Sequence, residues 1–169
     1  MGETQPFVEE MLDNLASNIC DLSSPQVQVF YEAMGHIISS KHELEEQQKL
    51  IQRLMQLPNN TWDDICRRAA NDYSILGEID VLKQIANLLK TNTAACRSIG
   101  GTFAVQLLRN FNDMLGMYQI MSEQISNAID KNGPDVVKNA AVKQVKAVKK
   151  EILVFISTWA SKNDVAGVS

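Results

Sequence analysis

Helices, and no strands, are what this sequence predicts, and three observations carry that reading. Apolar residues recur at steps of three and four over long stretches, the spacing that gathers one face of an α-helix. Only 4 prolines and 8 glycines punctuate the 169 residues. No run alternates apolar and polar residues for long enough to form a half-buried strand. With 45% hydrophobic and 21% charged residues, the composition is that of a folded chain large enough to bury a core.

Taken in order, Thr4 caps a first helix with Pro6 in its opening turn, and Phe7, Met11, Leu15 and Ile19 mark its buried stripe as far as Asp21. Ser23 and Ser24 before Pro25 start a second helix, whose stripe is Val27, Phe30, Met34 and Ile37, ending near Ser39. The short connection makes these two an antiparallel hairpin. From His42 a third pattern runs through Leu44, Ile51, Leu54 and Met55 to Leu57, where Pro58 breaks or kinks it. Asn60 or Thr61 restarts it, and Trp62, Ile65, Cys66, Ala69 and Tyr73 extend the apolar side, giving one broken rod. Asp80 opens the next helix with Leu82, Ile85, Leu88 and Leu89; Asn92 and Thr93 interrupt it, and Gly100-Gly101 stops the turn that follows.

The longest elements come last. Phe103, Leu107, Phe111, Met114, Tyr118, Met121, Ile125 and Ile129 line one arm, and Ala141, Val145, Val148, Ile152, Ile156 and Trp159 the other, joined at Asn132-Gly133-Pro134. Each arm is about 45 Å long at 1.5 Å per residue, so it needs neighbours along its whole length. The chain thus reads as three helix pairs, about residues 4–39, 43–100 and 102–162, forming one segment over 1–169. Tandem pairs, none able to bury its apolar face alone, predict an α-solenoid of the HEAT or armadillo kind, with a compact bundle as the alternative. Neither end carries a polar capping repeat, as expected of part of a longer chain whose apolar end faces self-associate.

Chemistry is sparse. Cys20, Cys66 and Cys96 are far apart and fit small buried hydrophobes in a reducing compartment. The Asn59-Asn60-Thr61 triplet matches a glycosylation sequon but serves better as a helix start. His36 and His42 have no cysteine or carboxylate at ligand spacing, so neither metal nor cofactor is expected. The acidic groups Glu43, Glu45, Glu46 and Asp63, Asp64 suit helix starts. No phosphate-cradling glycine loop or nucleophile elbow occurs, and the chain is read as no enzyme. No apolar run is long enough to span a membrane. The N-terminus has neither a secretory layout nor a myristoylation pattern, Pro6 standing where Ser or Thr is needed, so an intracellular chain is expected.

The electrostatic signal is the last helix. From residue 134 onward six Lys and Arg face three Asp and Glu, a net +3, whereas ten against seventeen give residues 1–133 a net −7. Lys143, Lys146 and Lys150 share one side, opposite the apolar stripe. That stripe is either a solvated face or a patch for an acidic partner. Nucleic acid is not expected without more arginine and interleaved aromatics, and a lipid surface would want bulky apolar neighbours that are here committed to the core.

Seven strings then align with one family. They are Gly2-Glu3 with Pro6-Phe7, Ile19-Cys20-Asp21-Leu22, Phe30-Tyr31-Glu32-Ala33, Leu57-Pro58-Asn59 with Trp62, Leu89-Lys90-Thr91-Asn92 with Ala95-Cys96, Asp113-Met114-Leu115, and Val148-Lys149-Lys150-Glu151-Ile152-Leu153 leading to Trp159. In this order and spacing the chain resembles the nuclear exportins for leucine-rich export signals, of the importin-beta superfamily, in their C-terminal half. The resemblance implies rings of HEAT repeats that bind cargo together with GTP-bound Ran, pass nucleoporins and shuttle between nucleus and cytoplasm. It also implies that the export-signal groove, its reactive cysteine and the acidic Ran-contacting loop lie upstream of this piece. By the family's pattern, residues 5–20, 43–73 and 102–131 are outer helices and 24–39, 78–92 and 134–162 inner ones. The lysine stripe would then face the ring interior, where Ran and regulatory segments sit. A scaffold segment that touches no ligand is the alternative.

Overall fold

The computed structural model describes the backbone of residues 4–167 and the side chains of residues 7–163. Every regular element among them is helical: α1 (Thr4–Asp13), α2 (Leu15–Ile19), α3 (Ser24–Ser39), α4 (Leu44–Leu54), α5 (Gln56–Asn71), α6 (Ile79–Ile99), α7 (Ala104–Asn132) and α8 (Ala140–Gly167). Short 3-10 turns at Tyr73–Gly77, Gly100–Phe103 and Pro134–Lys138 join them. Helices α3, α6 and α8 lie side by side as one layer, and α4, α5 and α7 back it. This is the all-α, HEAT-type solenoid that the helical periodicity predicts, with its longest helices last.

Local chemistry sets the boundaries. Ser23 caps α3 by accepting from the Gln26 amide at 3.4 Å while the Gln26 side chain accepts from the Ser23 amide at 2.9 Å, and Pro25 sits in the first turn. Gly100 and Gly133 end α6 and α7 at φ 84°, with ψ of −145° and 173°, a backbone region open in practice only to glycine. The core runs through all layers, from Val8 and Leu15 through Ile38, Ile51, Trp62 and Ile85 to Phe103 and Phe155. The Phe103 and Phe155 rings meet edge to face at 6.0 Å and bind the start of the long hairpin to its returning arm.

Several elements differ from the sequence expectation. The first stripe is turned by one residue: Val8, Leu12 and Leu15 are buried and Phe7 is 50% exposed. The first helix also breaks at Asn14, whose side-chain amide donates to the Glu10 carbonyl at 3.0 Å beside its own backbone amide. The expected Thr4 cap lies outside the described side chains. In α3 the buried line is Tyr31, Met34, Gly35 and Ile38, with Val27, Phe30 and Ile37 on its flank. The break expected at Pro58 falls at Met55 instead, because the proline ring clashes with the carbonyl four residues back and removes that bond. Consequently Asn60 and Thr61 start nothing; they continue α5, which also holds Asp63 and Asp64 in mid-helix. Leu44 and Tyr73, expected inside, are exposed.

Helix α6 is not interrupted at Asn92-Thr93. Thr91, Asn92 and Thr93 each donate to the carbonyl four residues earlier, at 2.9, 2.8 and 2.9 Å, which lets buried polar side chains stay in a helix. The returning arm starts later than expected: Pro134–Lys138 is a 3-10 turn, and Asn139 opens α8 by accepting from the Ala141 amide at 2.9 Å. It also runs on to Gly167, past the expected end at 162.

Candidate partner-binding surface

Helix α8 is built to bury one face and offer another. Val145, Val148, Ile152 and Phe155 are at most 5% exposed and fix the helix against the core, which turns the opposite side outward. Lys143, Lys146 and Lys150 all stand on that outward side, exposed, and none forms an ion pair among the described residues. Lys149, one step round, is half-buried, with its ammonium 4.7 Å from the centre of the Tyr118 ring on α7. The sequence pattern thus separates three cations left to solvent from a fourth that clasps the hairpin. Toward the C-terminus the Trp159 indole donates to the Gly101 carbonyl at 3.3 Å, which ties α8 to the 3-10 turn that follows α6.

The three lysines are brought together by helical spacing alone, and among the described residues no acidic side chain pairs with them. Beside α8 the exposed face of the α3, α6 and α8 layer is mixed in sign. Arg97 on α6 pairs with Glu32 on α3 at 3.4 Å, and Lys90 and Glu151 flank the same hollow of about 310 Å³. Chemically the lysine surface is a set of strongly hydrated point charges, suited to an acidic protein surface rather than to planar, two-pronged recognition by arginine.

No second centre of chemistry competes with it. Among the described residues no three of His, Cys, Asp and Glu cluster to hold a metal ion, and His36 and His42 are both exposed. The cysteines divide differently from expectation: Cys20 is exposed at the end of α2, Cys66 is half-buried and Cys96 buried. Burial pushes the Cys66 thiol up to about 12, aided by the Asp113 carboxylate, and burial does the same for Cys96, also to about 12. Neither is thus poised as a nucleophile at neutral pH.

What periodicity missed is the polar seam between α5 and α7. Asn59 and Gln106 exchange side-chain hydrogen bonds at 3.1 and 2.7 Å, and Gln106 also donates to Asn92 at 2.9 Å; all three are at most 7% exposed. Arg109 grips both oxygens of Asp63 at 3.1 and 2.6 Å, and the Trp62 indole donates to Asp113 at 3.3 Å. A run of amides in an otherwise amphipathic helix was the available signal. It reads as solvent-facing polarity until the partner helix is in place.

The fold is a solenoid of paired helices with a cationic final arm, and known proteins resemble it in sequence. The particular similarity is to exportin-1, along nearly the whole chain. The family described as CRM1 C terminal matches residues 106–168. Exportin-1 of Drosophila melanogaster is 43% identical over 163 residues, and that of Schizosaccharomyces pombe 41% over 162. Protein EXPORTIN 1B of Arabidopsis thaliana is 38% identical over 162 residues. Each alignment takes in 96% of this chain, and the chain spans 15% of the length of these curated relatives.

Proposed function

We propose that this chain is a HEAT-repeat segment of a nuclear export receptor that carries leucine-rich export-signal cargo with GTP-bound Ran out of the nucleus. The observation that carries this reading is the identity to exportin-1, sustained over almost all of the chain rather than in one motif. In this reading residues 4–39, 43–100 and 102–162 are successive repeats. The segment works without catalysis, by supplying curvature to the ring and passing small changes of curvature between neighbouring repeats. It shuttles with its receptor past nucleoporins.

The lysines Lys143, Lys146 and Lys150 are the segment's partner surface, facing the acidic side of Ran or of a regulatory segment inside the ring. Two things support them in that role: they are exposed without an ion-pair partner among the described residues, and they lie on the layer that α8 shares with α3 and α6. The export-signal groove lies elsewhere in the receptor. Fluorescence anisotropy of a labelled leucine-rich export peptide against this chain, with and without GTP-bound Ran, tests that placement. No binding is expected into the high micromolar range; saturable binding would make one of these helix pairs a cargo site.

A further inference from the structure

The cationic surface does not end with α8. Helix α6 lies between α3 and α8 and is backed by the second layer, so its exposed residues stand on the free face of the first. Lys83, Lys90 and Arg97 are among them, and their steps of seven put them on one line along the helix, about 10.5 Å apart. Arg97 is held by Glu32 at 3.4 Å, whereas Lys83 and Lys90 form no ion pair among the described residues. Helices α6 and α8 run side by side in the same direction: Trp159 meets Gly101 at one end, and Glu151 and Val154 share a hollow with Lys90 and Arg97 further back. Val154 continues the line of Lys143 and Lys150, at steps of seven and four, so these two lysines face the same side as Lys90.

Lys83 and Lys90 thus stand on one bank of the furrow between the two helices and Lys143 and Lys150 on the other. Packed helices lie about 8–10 Å apart, so a carboxylate in the furrow is within roughly one Debye length, about 8 Å, of cations on both banks. Against the four lysines α6 sets Asp80 and α8 sets the half-buried Glu151, and neither forms an ion pair among the described residues. We propose that this furrow binds an acidic segment of a partner polypeptide, with Lys83 and Lys90 completing the site that Lys143 and Lys150 begin. The proposal rests on reading the α8 lysines as a partner surface, and adds to it a second helix and a chemical class. Lysine ammoniums are point charges on flexible stems, so the furrow selects for density of carboxylates rather than for their register. Nucleic acid fits less well: the arginine on this face is engaged by Glu32, and the exposed aromatic rings of Phe7 and Tyr73 stand on α1 and on the turn after α5.

The test is fluorescence anisotropy of a labelled oligoglutamate peptide against the full chain, with a single-stranded oligonucleotide as the competing ligand and Lys49→Glu, at an exposed position on α4, as the control variant. All the substituted lysines are exposed, and unchanged melting temperatures are checked first. Affinity for the peptide is expected to fall about tenfold or more on Lys83→Glu with Lys90→Glu, and likewise on Lys143→Glu with Lys150→Glu, to hold on Lys49→Glu, and to fade at high salt. Lys83→Gln with Lys90→Gln, which removes charge without adding any, is expected to give a smaller loss in the same direction. Loss on the α8 reversals with none on the α6 reversals would overturn this proposal and leave the α8 reading standing. No loss on either pair, or no binding of the peptide to the parent chain, would take the α8 reading down with it. An equal loss on Lys49→Glu, or preference for the oligonucleotide, would also overturn the proposal.

Discussion

Two seams hold this molecule, and they are made of opposite materials. Between α3, α6 and α8 the contact is mainly apolar, with the Arg97–Glu32 pair at its surface, and at one point so close that a methyl group on Gly35 would stand 1.9 Å from the Ser98 hydroxyl oxygen. Between α5 and α7 the contact is a ladder of amides, an ion pair and an indole held by a carboxylate. Apolar burial is non-directional and supplies most of the stability. Paired amides add little net energy, but they penalise any register that leaves one of them unpaired. The comparison assigns cohesion to the first seam and register to the second.

The largest effect is expected where the apolar seam is emptied. Phe155→Ala removes a ring of 0% exposure and its edge contact with Phe103, and should cost about 3–5 kcal/mol in denaturant unfolding. Next comes Gln106→Leu, which strands Asn59 and one lone pair of Asn92 in a buried setting. A loss of about 2–3 kcal/mol is expected from it, mostly recovered when Asn59→Leu is added. A double-mutant cycle in which the second substitution recovers nothing would remove the register argument. Gly35→Ala should cost about 1–3 kcal/mol, limited by how far the Ser98 side chain can turn away from the new methyl. Arg109→Ala should cost about 1 kcal/mol: its pair with Asp63 is exposed to solvent, and the loss comes mainly from the buried Asn110 side-chain oxygen, which gives up its 2.8 Å donor.

Thiol chemistry sharpens the same contrast at smaller scale. Cys20 should be labelled rapidly by a thiol reagent in the native state, while Cys66 and Cys96 wait for unfolding. A pH effect accompanies the turn after α5. Asp72 accepts from the Ser74 amide at 3.0 Å, and hydrogen bonding from Ser74 lowers its carboxyl below the ordinary 3.8. Since the folded value is the lower one, this contribution is present above 3.8 and lost as pH falls beneath it. Asp72→Asn should flatten that part of the acid limb of stability against pH.

The legible features of the sequence were those decided within a few residues. The Ser23 capping box, the glycine stops at 100 and 133 and the stripes of α7 and α8 depend on spacing and on backbone freedom, and both can be read along the chain. The phase of the first two stripes could not be, because α1 and α3 meet neighbours distant in sequence and those neighbours choose between Phe7 and Val8. Asn92 and Thr93 resemble a helix interruption, since what keeps them helical is burial with bonds to their own preceding turn. The lysines were legible as a stripe, and the structure adds that they stand exposed without an ion-pair partner among the described residues. The amide seam was hidden because a buried amide and a solvated one have the same letter.

We propose that α8 offers its cations to a partner inside an export receptor. The direct test carries the charge reversals Lys143→Glu, Lys146→Glu and Lys150→Glu, matched by position, into the full-length receptor and measures assembly with GTP-bound Ran and an export peptide. Assembly weakened by about tenfold or more, with the melting temperature unchanged, is the predicted result. Unchanged affinity for both ligands would contradict it and leave the segment a scaffold.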